Sequence, residues 1–326
     1  SSGRWFHSLS GVPRAGGLFQ RIDTRLAGPE VEDWLSYSEA SILFVDTTFA
    51  PLVAQIKDRL AHVKQFIFVD DGETPDGYIP YAELVDAEPV ADTGRCNEDI
   101  AGLVYTGGTT GRSKGVMLTH TNLVVNALQA VSMMGVQQSD RILHVAPMFH
   151  IADAFVCMMA SALCCSNYFQ PAFDPLATLK GVQDNKIQRM LLVPTMINMV
   201  VHQHTIGDYD LDALESVWYG ASPMPEAVIQ QALKVMPKVQ FYQAYGQTEA
   251  APVITALLPE RHTFEGPLAG KMKSAGQALP GIEVCIMGEN NQRVDYGVVG
   301  EVCMRGPNIM KGYRNMEEQT ANTIID

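Results

Sequence analysis

Between Arg141 and Ala244 the chain alternates short apolar runs with longer stretches of helical spacing, and this pattern constrains the fold most tightly. Arg141–Val145, Met190–Val193, Ser216–Tyr219 and Val239–Ala244 are short runs rich in apolar residues, so they read as strands. Ala154–Cys165, Pro175–Asn185, Thr195–His204 and Pro225–Val235 read as helices between or beside them. Strands separated by helices predict an α/β fold with layered subdomains and mixed sheets. The chain opens in the same way, with a strand at Ala40–Asp46, a helix at Phe49–His62 and a strand at Gln65–Val69. Asp70–Asn97 reads as loops with one short helix, Ile100–Tyr105 as a strand, and Thr121–Gly135 as a helix. From about Glu260 the segments become short and turn-separated, including Ile282–Met287 and Gly300–Arg305, which predicts the start of a β-rich, barrel-like subdomain. The expected organisation is a partial α/β subdomain over 1–98, an α/β core over 99–259 and the β-rich part over 260–326.

Charge narrows the function. Acidic residues number 36 against 23 basic ones, a formal net charge of −13. Such a chain is a poor partner for nucleic acid, which needs clustered Lys and Arg. An anionic ligand must be held by local donors against the average field. The six cysteines form no CxxC pair and read as free thiols, which fits a reducing cytoplasm. The apolar run Ala154–Cys165 is too short to span a bilayer, and the N-terminal SSGRWFHSL lacks a signal-peptide core. The expectation is a soluble cytoplasmic protein without an integral membrane segment; a homodimer is compatible with it.

One loop carries phosphate chemistry. Tyr105–Gly115 reads YTGGTTGRSKG and follows a predicted strand. Gly107, Gly108 and Gly111 let backbone N–H groups converge, while Thr106, Thr109 and Thr110 add hydroxyl donors. Lys114 supplies a point cation for phosphate. A Walker A loop is excluded, because Ser113 precedes Lys114 and Gly115 follows it where a metal-binding hydroxyl belongs. An ordinary surface turn is the plain alternative.

That loop resembles the signature of the adenylate-forming superfamily, which comprises acyl-CoA synthetases, luciferases and peptide-synthetase adenylation domains. Three further stations, in order, are similar to the same family. In Pro147–His150, PMFH, the resemblance places His150 beside an acyl pocket; by itself it reads as a satisfied core histidine, and its place after a strand and before the apolar helix favours the pocket. Tyr219–Pro225, YGASPMP, resembles a loop under adenine and the acyl carbonyl, with Gly220, Ala221 and Ser222 small enough for close backbone approach; a strand-to-helix turn reads equally well. Tyr245–Glu249, YGQTE, resembles the segment in which Tyr245 packs on adenine, Gly246 belongs to the nucleotide-binding set, Thr248 touches the α-phosphate and Glu249 helps hold Mg²⁺; a solvated glutamate is the alternative. Ile22–Leu26 and Gly300–Asn315 extend the likeness over nearly the whole chain.

The resemblance implies the large N-terminal domain of an enzyme that uses ATP and Mg²⁺ to turn a small-molecule carboxylic acid into its acyl-adenylate. Coenzyme A would then take the acyl group. It assigns Lys114, His150, Thr248 and Glu249 to the catalytic machinery. It also implies a ribose-binding aspartate just after Asp326 and a mobile C-terminal domain with a further lysine, so this piece is expected to turn over poorly. Ala152–Ser161 and Val193–Val200 are candidate acyl-pocket stretches, equally explained by core packing. A fatty acid is the favoured substrate. Aryl acids, amino acids and a non-catalytic nucleotide- or acyl-binding relative are the alternatives, amino acids being disfavoured because His150 stands after Phe149 where an aspartate is expected.

Overall fold

The computed structural model describes residues 2–107 and 113–325, excluding the side chains of Ser2 and Trp5. The chain packs into two compact units, Ser1–His120 with Lys311–Asp326, and Thr121–Met310. The three-part division at positions 98 and 259 is a proposal about sequence organisation, separate from this packing.

The first unit begins with α1 (Ser2–Arg14), β1 (Phe19–Gln20) and α2 (Gly28–Ser38). It continues through β2 (Ile42–Val45), α3 (Ala50–Ile56), β3 (Gln65–Phe68), β4 (Ile79–Pro80) and α4 (Tyr81–Val85). Strands β2, β3 and β4 form a parallel sheet. Val31 and Leu35 of α2 and Val53 and Ile56 of α3 pack into one core with Leu43, Val45 and Phe66. Helix α2 starts where Glu30 reaches back to accept the Ala27 N–H at 2.9 Å, and it stops at Glu39 in a left-handed conformation. Then β5 (Ile100–Thr106) pairs antiparallel with β6 (Lys114–Thr119), with Thr106 opposite Lys114. Strand β1 lies parallel to β5, and a late strand, Gly312–Tyr313, pairs with β6.

The second unit holds α5 from Thr121 onward (His120–Val131), β7 (Arg141–His144), α6 (Ile151–Ala162), β8 (Ser166–Phe169), α7 (Pro175–Asn185) and β9 (Arg189–Leu192). After these come α8 (Pro194–Val201), β10 (Ser216–Gly220), α9 (Glu226–Val235), β11 (Gln240–Gly246), β12 (Val253–Leu257) and β13 (Gln277–Ala278). The seven-stranded sheet runs in the order β13-β12-β11-β10-β9-β7-β8. Neighbours from β11 to β8 are parallel, while β12 and β13 add antiparallel strands at one side.

Alternate residues sort onto the two faces of this sheet, as a period of two requires. Ile142, Leu191, Trp218 and Tyr242 pack with Ala127 of α5 and Phe155, Val156 and Met159 of α6. Leu143, Met190, Leu192, Val217, Tyr219 and Phe241 pack with α7, α8 and α9 through Leu179, Ile197 and Ile229. Helices on both faces account for the nearly unbroken apolar strands. After 259, β14 (Glu283–Met287) and β15 (Glu301–Arg305) form an antiparallel pair.

Several elements differ from the sequence expectation. Helices α1 and α2 and strand β12 were not anticipated. Strand β6 begins at Lys114 and Gly115, the last two residues of the glycine-rich loop, and runs on to Thr119, and β8 occupies the link between two predicted helices.

Candidate active site

In the second unit, the sheet has a reversal of strand order. The chain runs from β7 outward to β8, then returns through β9 to the other side of β7. Helix α6 after β7 covers one face, and α8 after β9 covers the other. Such a switch point opens a crevice at the carboxyl ends of the strands. Both candidate acyl stretches start there: Ala152–Ser161 follows β7 and Val193–Val200 follows β9. The loops Ala221–Pro225 and Gln247–Pro252 leave the same carboxyl edge from the parallel strands β10 and β11. Three of the sequence stations therefore share one edge of one sheet.

His150 is exposed and caps α6 at its N-terminus, and its backbone N–H donates to the Pro147 carbonyl at 3.0 Å. It is not a core histidine. Its ring lies 4.6 Å from that of Phe149. Gly220 ends β10, where a Cβ would overlap the Ala244 carbonyl oxygen of the adjacent strand. Ala221 follows at φ 66°, and Ser222 is exposed. A left-handed alanine is uncommon and marks a loop held by its surroundings.

The second loop is fixed more firmly. Tyr245 is 39% exposed, which leaves its ring available for stacking. Thr248 and Glu249 are half-buried in a short 3₁₀ turn, Thr248–Ala250. The Gln247 N–H donates to the Pro252 carbonyl at 2.9 Å, the Met310 N–H to the Glu249 carbonyl at 2.8 Å, and Asn308 Nδ2 to the Ala250 carbonyl at 2.7 Å. Asn126 of α5 brackets Val253, accepting its N–H at 3.0 Å and donating to its carbonyl at 2.7 Å. At Gly246 a Cβ would collide with the Pro252 carbonyl oxygen. Gly246→Ala is therefore expected to lower stability by about 1–3 kcal/mol, the usual cost of overpacking, as measured by urea unfolding. An unchanged midpoint would show that the loop yields freely.

In the first unit, the two stems of the glycine-rich loop are both anchored. Tyr105 stacks on Trp34 at 4.2 Å, its hydroxyl donates to the Trp34 carbonyl at 3.2 Å, and burial pushes its phenol well above the ordinary value. Across the pairing, Lys114 Nζ lies 4.8 Å from the centre of the Tyr313 ring. Thr106 is half-buried and Gly107 is exposed with open space around it. Gly108, Thr109, Thr110 and Gly111 lie outside the described residues.

Two polar networks escaped the sequence reading. His144, at the end of β7, is 1% exposed, and both its ring nitrogens face oxygens. Nδ1 lies 3.1 Å from Asp153 Oδ1 and Nε2 lies 2.8 Å from Asn167 Oδ1, while Asn167 Nδ2 donates to the Cys165 carbonyl at 3.3 Å. Cys157 Sγ also lies 3.5 Å from Nδ1; a ring carrying a proton on each nitrogen would satisfy both oxygens. Burial alone would push this imidazole down, but the Asp153 charge and hydrogen bond outweigh it and hold it well above the ordinary value. Asp153 sits in the first turn of α6, where the helix end favours an anion. On the opposite face of the sheet, His262 Nδ1 donates to the Leu258 carbonyl at 3.0 Å, leaving Nε2 to accept the Tyr219 hydroxyl at 2.9 Å. Burial keeps that imidazole below its ordinary value and therefore neutral. A histidine inside an otherwise apolar strand was the available signal for the first network.

Comparison with known proteins covers nearly the whole chain. The chain is 29% identical to an indoleacetate–CoA ligase of Aromatoleum aromaticum, covering 98% of this chain and 61% of that protein. It is 32% identical to a feruloyl-CoA synthase of an Amycolatopsis species, covering 99% and 61% respectively. A solved long-chain fatty-acid–CoA ligase from Archaeoglobus fulgidus superposes with a TM-score of 0.86 at 27% identity, over 97% of this chain and 63% of that one. The chain thus spans about three-fifths of the length of these relatives. Residues 1–314 match the profile of the AMP-binding enzymes, and with the shared fold this places the chain in the AMP-binding enzyme family.

Proposed function

We propose that the intact protein is an acid–CoA ligase that forms AMP, with adenylation and thioesterification as successive steps. A carboxylate oxygen attacks the α-phosphorus of ATP, the bond to the bridging oxygen breaks, and pyrophosphate leaves with the electron pair. The sulfur of coenzyme A then attacks the acyl carbon, and AMP leaves. The observation that carries this reading is the convergence of the loops after β7, β9, β10 and β11 on one carboxyl edge at the switch point.

The roles are those that the resemblance implies. Two anions must meet in the first step, so positioning and charge neutralisation supply most of the rate. Thr248 serves the α-phosphate, Tyr245 the adenine with Gly246 beside it in the nucleotide-binding loop, and Gly220, Ala221 and Ser222 the adenine and acyl carbonyl. Lys114 and the loop from Thr106 to Gly111 serve the β- and γ-phosphates, and His150 lies at the acyl side. Among the described residues no group of three or more potential metal ligands occurs. One carboxylate, Glu249, supplemented by phosphate oxygens and water, fits the way Mg²⁺ is usually held. Bound there, Mg²⁺ would offset phosphate charge.

The acid has an apolar body. Ala152 and Met158 on α6 are partly buried against the apolar core, and this face is assigned to the acid, methionine being adaptable to different apolar shapes. A fatty acid fits this face, and an aryl acid is the second reading, favoured by the two aryl-acid relatives. No helix of the described residues is long and apolar enough to cross a membrane. The test is ATP–pyrophosphate exchange by the full-length protein across short, medium, long-chain and aromatic acids. Exchange driven by one class, followed by thioester formation with coenzyme A, is the expected result. No exchange with any acid, despite ATP binding, would favour a non-catalytic relative.

A further inference from the structure

The late strand Gly312–Tyr313 pairs antiparallel with β6, placing Gly312 opposite Met117 and Tyr313 opposite Val116. Two backbone bonds bracket the pairing: the Lys311 N–H donates to the Met117 carbonyl at 3.0 Å, and the Arg314 N–H to the Gly115 carbonyl at 2.8 Å. The ring of Tyr313, 5% exposed, is thereby held beneath the Lys114 ammonium at 4.8 Å. A second anchor comes from the last helix, Glu317–Thr323. Thr320 Oγ1 accepts the Tyr313 N–H at 2.9 Å and donates to the Met316 carbonyl at 2.9 Å. Gly312, at φ 145°, leaves room for the Thr320 side chain, which a Cβ there would crowd.

We propose that Tyr313 is a positioning residue for Lys114, its ring holding the ammonium at the stem of the glycine-rich loop while Thr320 anchors the Tyr313 backbone. Lysine has a flexible four-carbon stem, so its charge is precise only where something restrains it. An aromatic face does this without neutralising the charge, unlike a carboxylate, and leaves the ammonium able to meet phosphate. The lysine rests on a surface contributed by residues about two hundred positions further along the chain. This inference rests on the reading of Lys114 as a phosphate ligand.

The test has two arms. In the first, the methylene protons next to the Lys114 ammonium are observed by NMR in this chain, assigned through Lys114→Arg. The Tyr313 ring current should shift them upfield, and Tyr313→Leu should return them to the value of a free lysine while Tyr313→Phe keeps the shift. In the second, the full-length protein is assayed for pyrophosphate exchange. Tyr313→Leu should raise the KM for ATP about fivefold, the scale of one cation–π contact, with a smaller effect on kcat, and Tyr313→Phe should restore it. A ring-fluorinated tyrosine at 313 keeps the shape but weakens the negative face, so it should act like leucine even where Tyr313→Leu folds poorly. An unshifted Lys114 signal, or an ATP KM that ignores ring fluorination, would overturn the proposal. A shifted Lys114 signal in a protein that neither binds ATP nor exchanges pyrophosphate would overturn the ATP reading and this role together, leaving only a structural contact.

Discussion

Glu249→Gln in the intact protein is expected to lower ATP–pyrophosphate exchange at least about tenfold, because the proposed metal-assisted phosphoryl chemistry would lose its anionic protein ligand. The substitution keeps the side-chain shape, so the loop should survive it. The Met310 backbone N–H and the Asn308 side-chain amide hold carbonyls of the turn around Glu249. What changes is charge: an amide oxygen is a weaker partner than a carboxylate for a hard divalent cation. The requirement for Mg²⁺ should rise in parallel, and the unfolding midpoint should stay near wild type. Exchange at the wild-type rate with an unaltered Mg²⁺ dependence would remove Glu249 from the site.

The second large effect concerns stability. Removing one partner of a buried ion pair costs about 3–5 kcal/mol, so Asp153→Ala should destabilise the second unit by that order near pH 6. The His144→Leu, Asp153→Leu double variant should recover much of the loss, since an apolar replacement of both partners leaves no buried charge. The pH dependence follows from the raised imidazole. Below the unfolded value of about 6.5 both folded and unfolded chains carry the proton, and the contribution is fully present. As pH climbs through the raised folded value it is lost, because the unfolded chain has already released its proton. Urea unfolding from pH 5.5 to 9 should therefore show wild type converging on Asp153→Ala as pH rises. A gap that is constant over that range, or smaller than about 1 kcal/mol, would mean that the pair is not ionised as described.

Much of the fold was legible because β7, β9, β10 and β11 are buried on both faces and carry apolar runs between helical stretches. Strand β8 was not, since Ser-Asn-Tyr-Phe is short, half-polar and follows α6 after only a brief turn. Strand β6 hid within the glycine-rich motif, where Lys114 and Gly115 suggest a loop although their backbones pair with Thr106 and Tyr105. The site stations could be read from residue type and order, but the reversal at β7 and β9 could not, because strand order is a tertiary fact. The pairing of His144 with Asp153 and Asn167 was equally hidden: those partners lie 9 and 23 positions away, and only folding sets them around one ring.

Because Lys311–Asp326 rejoins the first unit, that unit is discontinuous in sequence. A gene fragment stopping at Met310 would encode all of the second unit yet strip the outer neighbour from β6. An unzipped strand offers bare N–H and C=O groups to any passing chain, a common route to self-association. Boundaries for dissection or fusion should therefore fall after the late strand and the helix behind it, never between the two units.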